Sequence, residues 1–176
     1  MKLKKIIISG APGTGKSSII KELKEKGYYC FDEVWNKEYE NPTNKSNIND
    51  IDEFSKHIFD KRLKQLDLNN FKNIKENIVF YDRSIIDTIS YLKHYNKEIM
   101  ALWEKKCSNY RYNNIVFFCP IWKDIYTQNE TRKETFEESK KIEKTLIKTY
   151  SEFSYELKIL PKTKISKRVN FIFNNI

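Results

Sequence analysis

The chain has 176 residues, of which 39% are hydrophobic and 32% charged, with a formal charge of +9. That length suffices for one core of ordinary size without cross-links, and the composition excludes a disordered or collagen-like chain. No apolar run approaches the ~20 residues that span a bilayer, and the three isoleucines behind the basic Met1–Lys5 start are too few for a secretory signal, so a cytoplasmic protein without a membrane partner is expected.

Lys5–Ser9 is a β-branched run bounded by glycine and reads as a buried strand. From Gly15 the pattern turns helical, with Ile19, Ile20 and Leu23 on one side, and it stops near Gly27. Tyr28–Phe31 forms a second short strand. Residues 36–50 are polar, hold Pro42 and four asparagines between Asn41 and Asn49, and read as a solvated loop. Ile51, Phe54, Ile58, Leu63 and Leu66 recur at helical spacing. Ile78–Tyr81 is a third strand, and Ser84 is placed to cap a helix with Asp87 at its third position. A further helix covers roughly 98–110. Ile115–Phe118 is a fourth strand, followed by a polar loop over 121–134. Phe136, Ile142, Leu146, Tyr150 and Phe153 mark another amphipathic helix, Leu157–Leu160 a fifth strand, and Lys164–Asn174 a last helix. Five strands alternating with helices predict an α/β fold: a parallel sheet covered on both faces. Sites in such sheets lie beyond the carboxyl ends of the strands.

Gly10-Ala-Pro-Gly-Thr-Gly-Lys16-Ser17 matches the phosphate-binding pattern G-x-x-x-x-G-K-[ST] at every fixed position. Three of the chain's four glycines fall in these residues, and a chance match somewhere in such a composition is about one in six hundred. Glycine lets backbone N–H groups face a ligand without an intervening Cβ. Those groups and the helix N-terminus make a nest for the phosphates of ATP. Gly10, Pro12, Gly13, Thr14, Gly15, Lys16, Ser17 and Ser18 are the expected binding residues. Lys16 reaches the β- and γ-phosphates, and the Ser17 hydroxyl is a ligand for Mg²⁺. A turn that only redirects the chain has no need of Lys16 or Ser17.

Asp82 follows an apolar strand, where a carboxylate holds Mg²⁺ or its water. Arg83 beside it is suited to charge on a transferring phosphoryl group, although the pair also suits a plain helix cap. Glu33 and Asp32 follow the second strand, where a carboxylate accepts the proton of an attacking hydroxyl; Glu33 is the preferred base and Asp32 or Asp87 the reserve. In the loop after the fourth strand, Arg132 is the expected lid cation, with Lys133 behind it, while Trp122 and Tyr126 either line an acceptor pocket or pack in the core.

The positive charge invites a nucleic-acid reading, but 28 of the 33 basic residues are lysines, no basic-aromatic module is present, and nucleic acid is not an expected partner. The scarcity makes the five arginines, Arg62, Arg83, Arg111, Arg132 and Arg168, more informative. Cys30, Cys107 and Cys119 are unspaced, and with two histidines give neither a disulfide framework nor a zinc pattern.

Beyond the P-loop, the chain resembles the small P-loop ATPases of the nucleotide-kinase-like AAA type, a group that includes the ribosylnicotinamide kinase domain of the bacterial NAD-biosynthesis regulator. The resemblance rests on Gly10–Ser17, Glu33, Tyr81-Asp-Arg-Ser-Ile-Ile-Asp87 with Tyr91-Leu92, Pro120-Ile-Trp122 with Ile125-Tyr126, Arg132, Tyr150, Tyr155, Leu160-Pro161 and Arg168, in order along the whole chain. Asn129 stands where a lid Asp is usual, Ser154 where a glycine precedes the tyrosine, and Asn36 where a basic residue follows Glu33. The resemblance implies one domain over 1–176: a three-layer nucleotide-kinase-like P-loop NTPase with a small lid at about 121–135. With about fifteen residues after Pro161, a hexameric motor with a helical subdomain is not expected.

The leading expectation is a kinase moving the γ-phosphoryl of Mg-ATP to a nucleoside-like or other hydroxyl, with Lys16, Glu33, Asp82, Arg83 and Arg132 in the chemistry. The alternatives are an NTP phosphohydrolase with water as nucleophile, and a non-enzymatic nucleotide-binding module. No N-K-x-D guanine-reading motif occurs, which argues against a GTPase switch. The small-molecule acceptor and a homodimer are left open.

Overall fold

The structure is a computed structural model that describes residues 3–34, 51–67, 74, 77–127 and 134–176. Five strands, β1 (Lys4–Ser9), β2 (Tyr29–Phe31), β3 (Ile78–Asp82), β4 (Ile115–Phe118) and β5 (Glu156–Ile159), form one sheet in the order β2-β3-β1-β4-β5. Every pairing is parallel, with Ile7 opposite Tyr81 on one side of β1 and opposite Val116 on the other. Among the described residues six α-helices connect or follow them: α1 (Lys16–Glu25), α2 (Ile51–Lys64), α3 (Ile85–His94), α4 (Ala101–Asn109), α5 (Phe136–Glu152) and α6 (Ile165–Phe173). The expected α/β fold is therefore present, each strand and helix within a few residues of its sequence-derived position. A short 3-10 turn, Lys123–Ile125, interrupts the expected polar loop after β4. The 36–50 loop and the lid residues Asn129, Arg132 and Lys133 lie outside the described residues.

The period-2 geometry of the strands divides the core in two. Ile7, Val79, Tyr81, Val116 and Phe118 point to one face, where they meet Phe59, Ile85, Ile89, Trp103, Leu146 and Tyr150. Ile6, Ile8, Phe80 and Phe117 point to the other, against Ile19, Leu23, Val169 and Ile172 of α1 and α6. Burying each such side chain stabilises the fold by about 1.5–3 kcal/mol. Apolar residues on both faces explain why these strands read as continuous runs rather than alternating ones.

β1 is central: the chain runs from it to the edge strand β2, returns to β3 beside β1, and then crosses to β4 on the other side of β1. Where parallel connections diverge in this way a crevice opens beyond the carboxyl ends of the strands. Gly10–Ser17 occupies that position, flanked by Asp82 at the end of β3, Arg83 just after it and Cys119 after β4.

Candidate active site

Three glycines shape the loop after β1. Gly10, Gly13 and Gly15 have φ of 145°, 77° and 82°, a region that side chains disfavour. At Gly10 an added Cβ would come within 2.4 Å of the Cys119 carbonyl oxygen, so the approach of the loop to β4 also requires glycine. Gly15 caps α1 without any side-chain bond, and the first turn of α1 holds no acidic residue. The positive end of the helix thus faces the loop unmasked by a carboxylate. Thr14 Oγ1 and Lys16 Nζ both donate to the Ala11 carbonyl, each at 2.8 Å, which folds the loop on itself. Lys16 is buried, and burial together with the nearby Arg83 lowers its ammonium to about 8. Ser17 and Ser18 are exposed on the first turn of α1.

Arg83 organises the opposite wall. It has φ of 70°, a left-handed backbone at a residue with a long side chain. Its N–H donates to the Ile8 carbonyl at 3.0 Å, its Nη1 donates to the Gly10 carbonyl at 3.1 Å, and its Nε donates to Glu33 Oε1. Its guanidinium lies 5.4 Å from the Tyr91 ring centroid. The unfavourable backbone is therefore held by bonds to β1, to the P-loop and to the end of β2. Glu33 also lies 3.9 Å from Arg62 of α2. Burial alone would raise its carboxyl, but Arg83, Lys16 and Arg62 together hold it below the usual range. Asp82 is in the opposite situation. Burial, reinforced by Glu33, raises its carboxyl to about 7 despite Lys16 and Arg83, and its Oδ1 has no hydrogen-bond partner. A buried carboxylate oxygen without a donor is the position a hard cation or its water would satisfy.

The structure brings Lys16, Glu33, Asp82 and Arg83 within electrostatic reach of one another. The two reserve carboxylates are elsewhere engaged. Asp32 pairs with Lys24 at the exposed end of α1. Asp87 is fully buried and accepts from Ser9 Oγ at 2.6 Å, from the Ser84 N–H at 2.8 Å, from Ser84 Oγ at 3.0 Å and from the Tyr150 hydroxyl. With Ser84 it forms the expected capping box of α3, and its oxygens are consumed by that role. Tyr126 packs edge-on against Phe136 at the start of α5, and Trp122 Nε1 donates to Asp124 at 2.9 Å. Burial raises Cys30 and Cys107 to about 12 and Cys119 to about 11, so all three stay thiols. Among the described residues, no group of three or more His, Cys, Asp or Glu is arranged to hold a metal ion.

Two buried arginines in this region had no assigned role in the sequence analysis. Arg62 donates from Nη1 to the Ser84 carbonyl at 3.1 Å and to Thr88 Oγ1 at 2.9 Å, facing Glu33 with its other side. Arg168 of α6 reaches the P-loop from behind and donates to the Thr14 carbonyl at 3.1 Å. The signal that could have found both is their being arginine in a chain so rich in lysine.

Solved structures of similar fold are numerous. A deoxyadenosine kinase from M. mycoides with bound dATP shares 19% identity over 97% of both chains, with a TM-score of 0.67. A thymidylate kinase from Ehrlichia chaffeensis shares 14% identity over 99% of this chain and 98% of its own, at 0.68. NadR in complex with NR shares 19% identity over 98% of this chain but only 50% of its own, at 0.72. These likenesses establish the nucleotide-kinase P-loop fold. Among curated proteins no sequence matches. No described helix is long and apolar enough to cross a membrane. One family profile, described as "AAA domain", matches residues 5–168, and with its P-loop at residues 10–17 the chain belongs to that family.

Proposed function

We propose that the chain is an ATP-dependent kinase that moves the γ-phosphoryl group to the hydroxyl of a nucleoside-like acceptor. The observation that carries this reading is Glu33. It is an ionised carboxylate held between Arg83 and Arg62, across from the P-loop. Binding a triphosphate has no use for a carboxylate there, whereas deprotonating an attacking hydroxyl requires one. An acceptor that is itself a phosphate would need no base and would meet the negative charge of Glu33, so a neutral hydroxyl fits better. The kinases of similar fold support the reaction class.

In this reading the loop amides and Gly10, Pro12, Gly13, Thr14, Gly15, Ser17 and Ser18 cradle the phosphates. Lys16 exchanges its bond to the Ala11 carbonyl for the β- and γ-oxygens. Ser17 and Asp82 are the residues that would hold Mg²⁺, and the unpartnered Asp82 Oδ1 fits that role. The ion, when bound, neutralises developing charge between the phosphates. Arg83 is shared between Glu33 and the P-loop. As it turns toward the transferring group its hold on Glu33 slackens, and Glu33 Oε1 becomes basic enough to take the acceptor's proton. The acceptor oxygen then forms its bond to phosphorus while the bond to the departing ADP oxygen breaks. Arg132, assigned from the sequence alone, is the further cation proposed for the transferring phosphoryl group, from a lid segment at about 121–135 of a single domain. The reducing cytoplasm suits three thiols kept protonated by burial.

The test is ADP production by the purified protein with Mg-ATP, against nucleosides, deoxynucleosides and their monophosphates. Turnover dependent on a nucleoside is expected. Glu33→Gln should lower it about 10²–10⁴-fold while leaving Mg-ATP binding in place. Phosphate release at full rate without an acceptor would instead make the protein a hydrolase, and an active Glu33→Gln would remove the base assignment.

A further inference from the structure

Arg168 presents an electrostatic problem that the fold alone does not resolve. It is 1% exposed, the largest fully buried side chain of the described residues. Its Nη1 donates to the Thr14 carbonyl of the P-loop. Its Nε has no partner at all. Among the described residues no carboxylate pairs with it. The contact is intimate, since a Cβ built on Gly15 would lie 2.9 Å from Arg168 Nη1. A buried cation held by a single carbonyl bond is under-compensated and costs stability in the free protein.

We propose that Arg168 is a positioning residue for nucleotide binding, whose guanidinium backs the P-loop and finds its counter-charge in the phosphates that the loop receives. Two effects act together. The bond to the Thr14 carbonyl fixes the peptide between Thr14 and Gly15, and with it the direction of the N–H that faces the cradle. The positive charge behind a low-dielectric loop adds to the field of the α1 N-terminus and of Lys16. The energy lost in burying the cation is recovered only when an anion arrives. Arg168 thus favours the bound state over the free one, rather than the folded state over the unfolded. This inference rests on the loop binding Mg-ATP, and the experiment separates the two claims.

The experiment compares wild type, Arg168→Met and Arg168→Lys by calorimetric titration with Mg-ATP and with adenosine, and by denaturation of the nucleotide-free proteins. Methionine keeps much of the volume and removes the charge. Arg168→Met should bind Mg-ATP about tenfold or more weakly, bind adenosine unchanged, and be at least as stable as wild type without ligand. Arg168→Lys, which keeps the charge, should recover most of the Mg-ATP affinity. Equal Mg-ATP affinity in Arg168→Met would overturn the proposal. So would affinity and stability lost together, failure of Arg168→Met to fold, or a lysine variant as weak as the methionine one, since each marks a structural strut. Wild-type protein that ignores Mg-ATP would remove the nucleotide reading itself, before any variant is compared.

Discussion

Arg83 shows how one residue couples strain to function. A left-handed backbone costs a non-glycine residue about 1–2 kcal/mol, offset at Arg83 by the bonds to Ile8, Gly10 and Glu33, the ion pair with Asp87 and the contact with the Tyr91 ring. Glycine at this position would relieve the backbone while removing the guanidinium. Arg83→Gly relieves the backbone but strands the buried Glu33 and Asp87 charges, so it should be less stable than wild type by about 1–4 kcal/mol and lose at least about 10²-fold in phosphoryl transfer. Denaturation midpoints beside single-turnover rates check both halves; a variant as stable as wild type would show that the backbone relief outweighs the guanidinium's contacts. The composition made such residues legible. Where lysine dominates, an arginine is kept for a planar, multi-donor, always-charged group. Arg62, Arg83 and Arg168 are buried in the site region, and Arg111 stacks on Tyr155 while donating to the Phe153 carbonyl. The motif pattern could mark Arg83, because it adjoins Asp82. The resemblance carried Arg168 without a role and nothing marked Arg62, because helical periodicity places a residue on a face without saying which loop that face covers.

Among the elements, the buried parallel strands and the amphipathic helices were readable because one periodicity dominated each. β4 matches its expected span at Ile115–Phe118, where three of four residues are buried. The edge strand β5 is shifted by one residue, to Glu156–Ile159, and none of its four residues is buried, so pairing rather than burial sets its limits. The end of α5 carries information of a different kind. Ser154 stands at φ of 59° just beyond the helix, and its N–H donates to the Ser151 carbonyl at 2.9 Å. The glycine usual before the tyrosine belongs there because the turn into β5 requires a left-handed residue. Serine keeps the turn at a conformational cost. Ser154→Gly should raise stability by about 1 kcal/mol in urea denaturation, with no change in nucleotide affinity. Destabilisation would mean that the serine makes the turn by contacts that outweigh its strain. Neither Glu33's pairing nor the orphaned oxygen of Asp82 was legible at this scale, since both depend on which strand ends meet, which is a matter of sheet order.

At the scale of the whole molecule, Asp87 is the point where the layers are tied. Its two oxygens accept from Ser9 at the end of β1, from Ser84 at the start of α3 and from Tyr150 of α5, and Arg83 lies 3.6 Å away. Burial would raise its carboxyl, but Arg83, Arg62 and the hydroxyl donors hold it below the usual aspartate range. The sign of the pH dependence follows. An acid with a depressed folded value binds fewer protons when folded than when unfolded, so its stabilisation is complete above about pH 4. It is lost as pH falls through the lower folded value. Asp87→Asn keeps the shape but leaves Arg83 and Arg62 with one fewer negative charge, and its amide sets a donor against hydroxyls that now donate to Asp87. At pH 7 it should be less stable by about 3–5 kcal/mol, the cost of breaking a buried charged pair. Below pH 4 that gap should narrow, because the wild-type carboxyl is being protonated while the amide has nothing to titrate. Urea midpoints of both proteins between pH 7 and pH 2 measure this directly. A gap of constant size across that range would show that the asparagine fails for reasons of packing, and that the charge of Asp87 does not hold the sheet, α3 and α5 together.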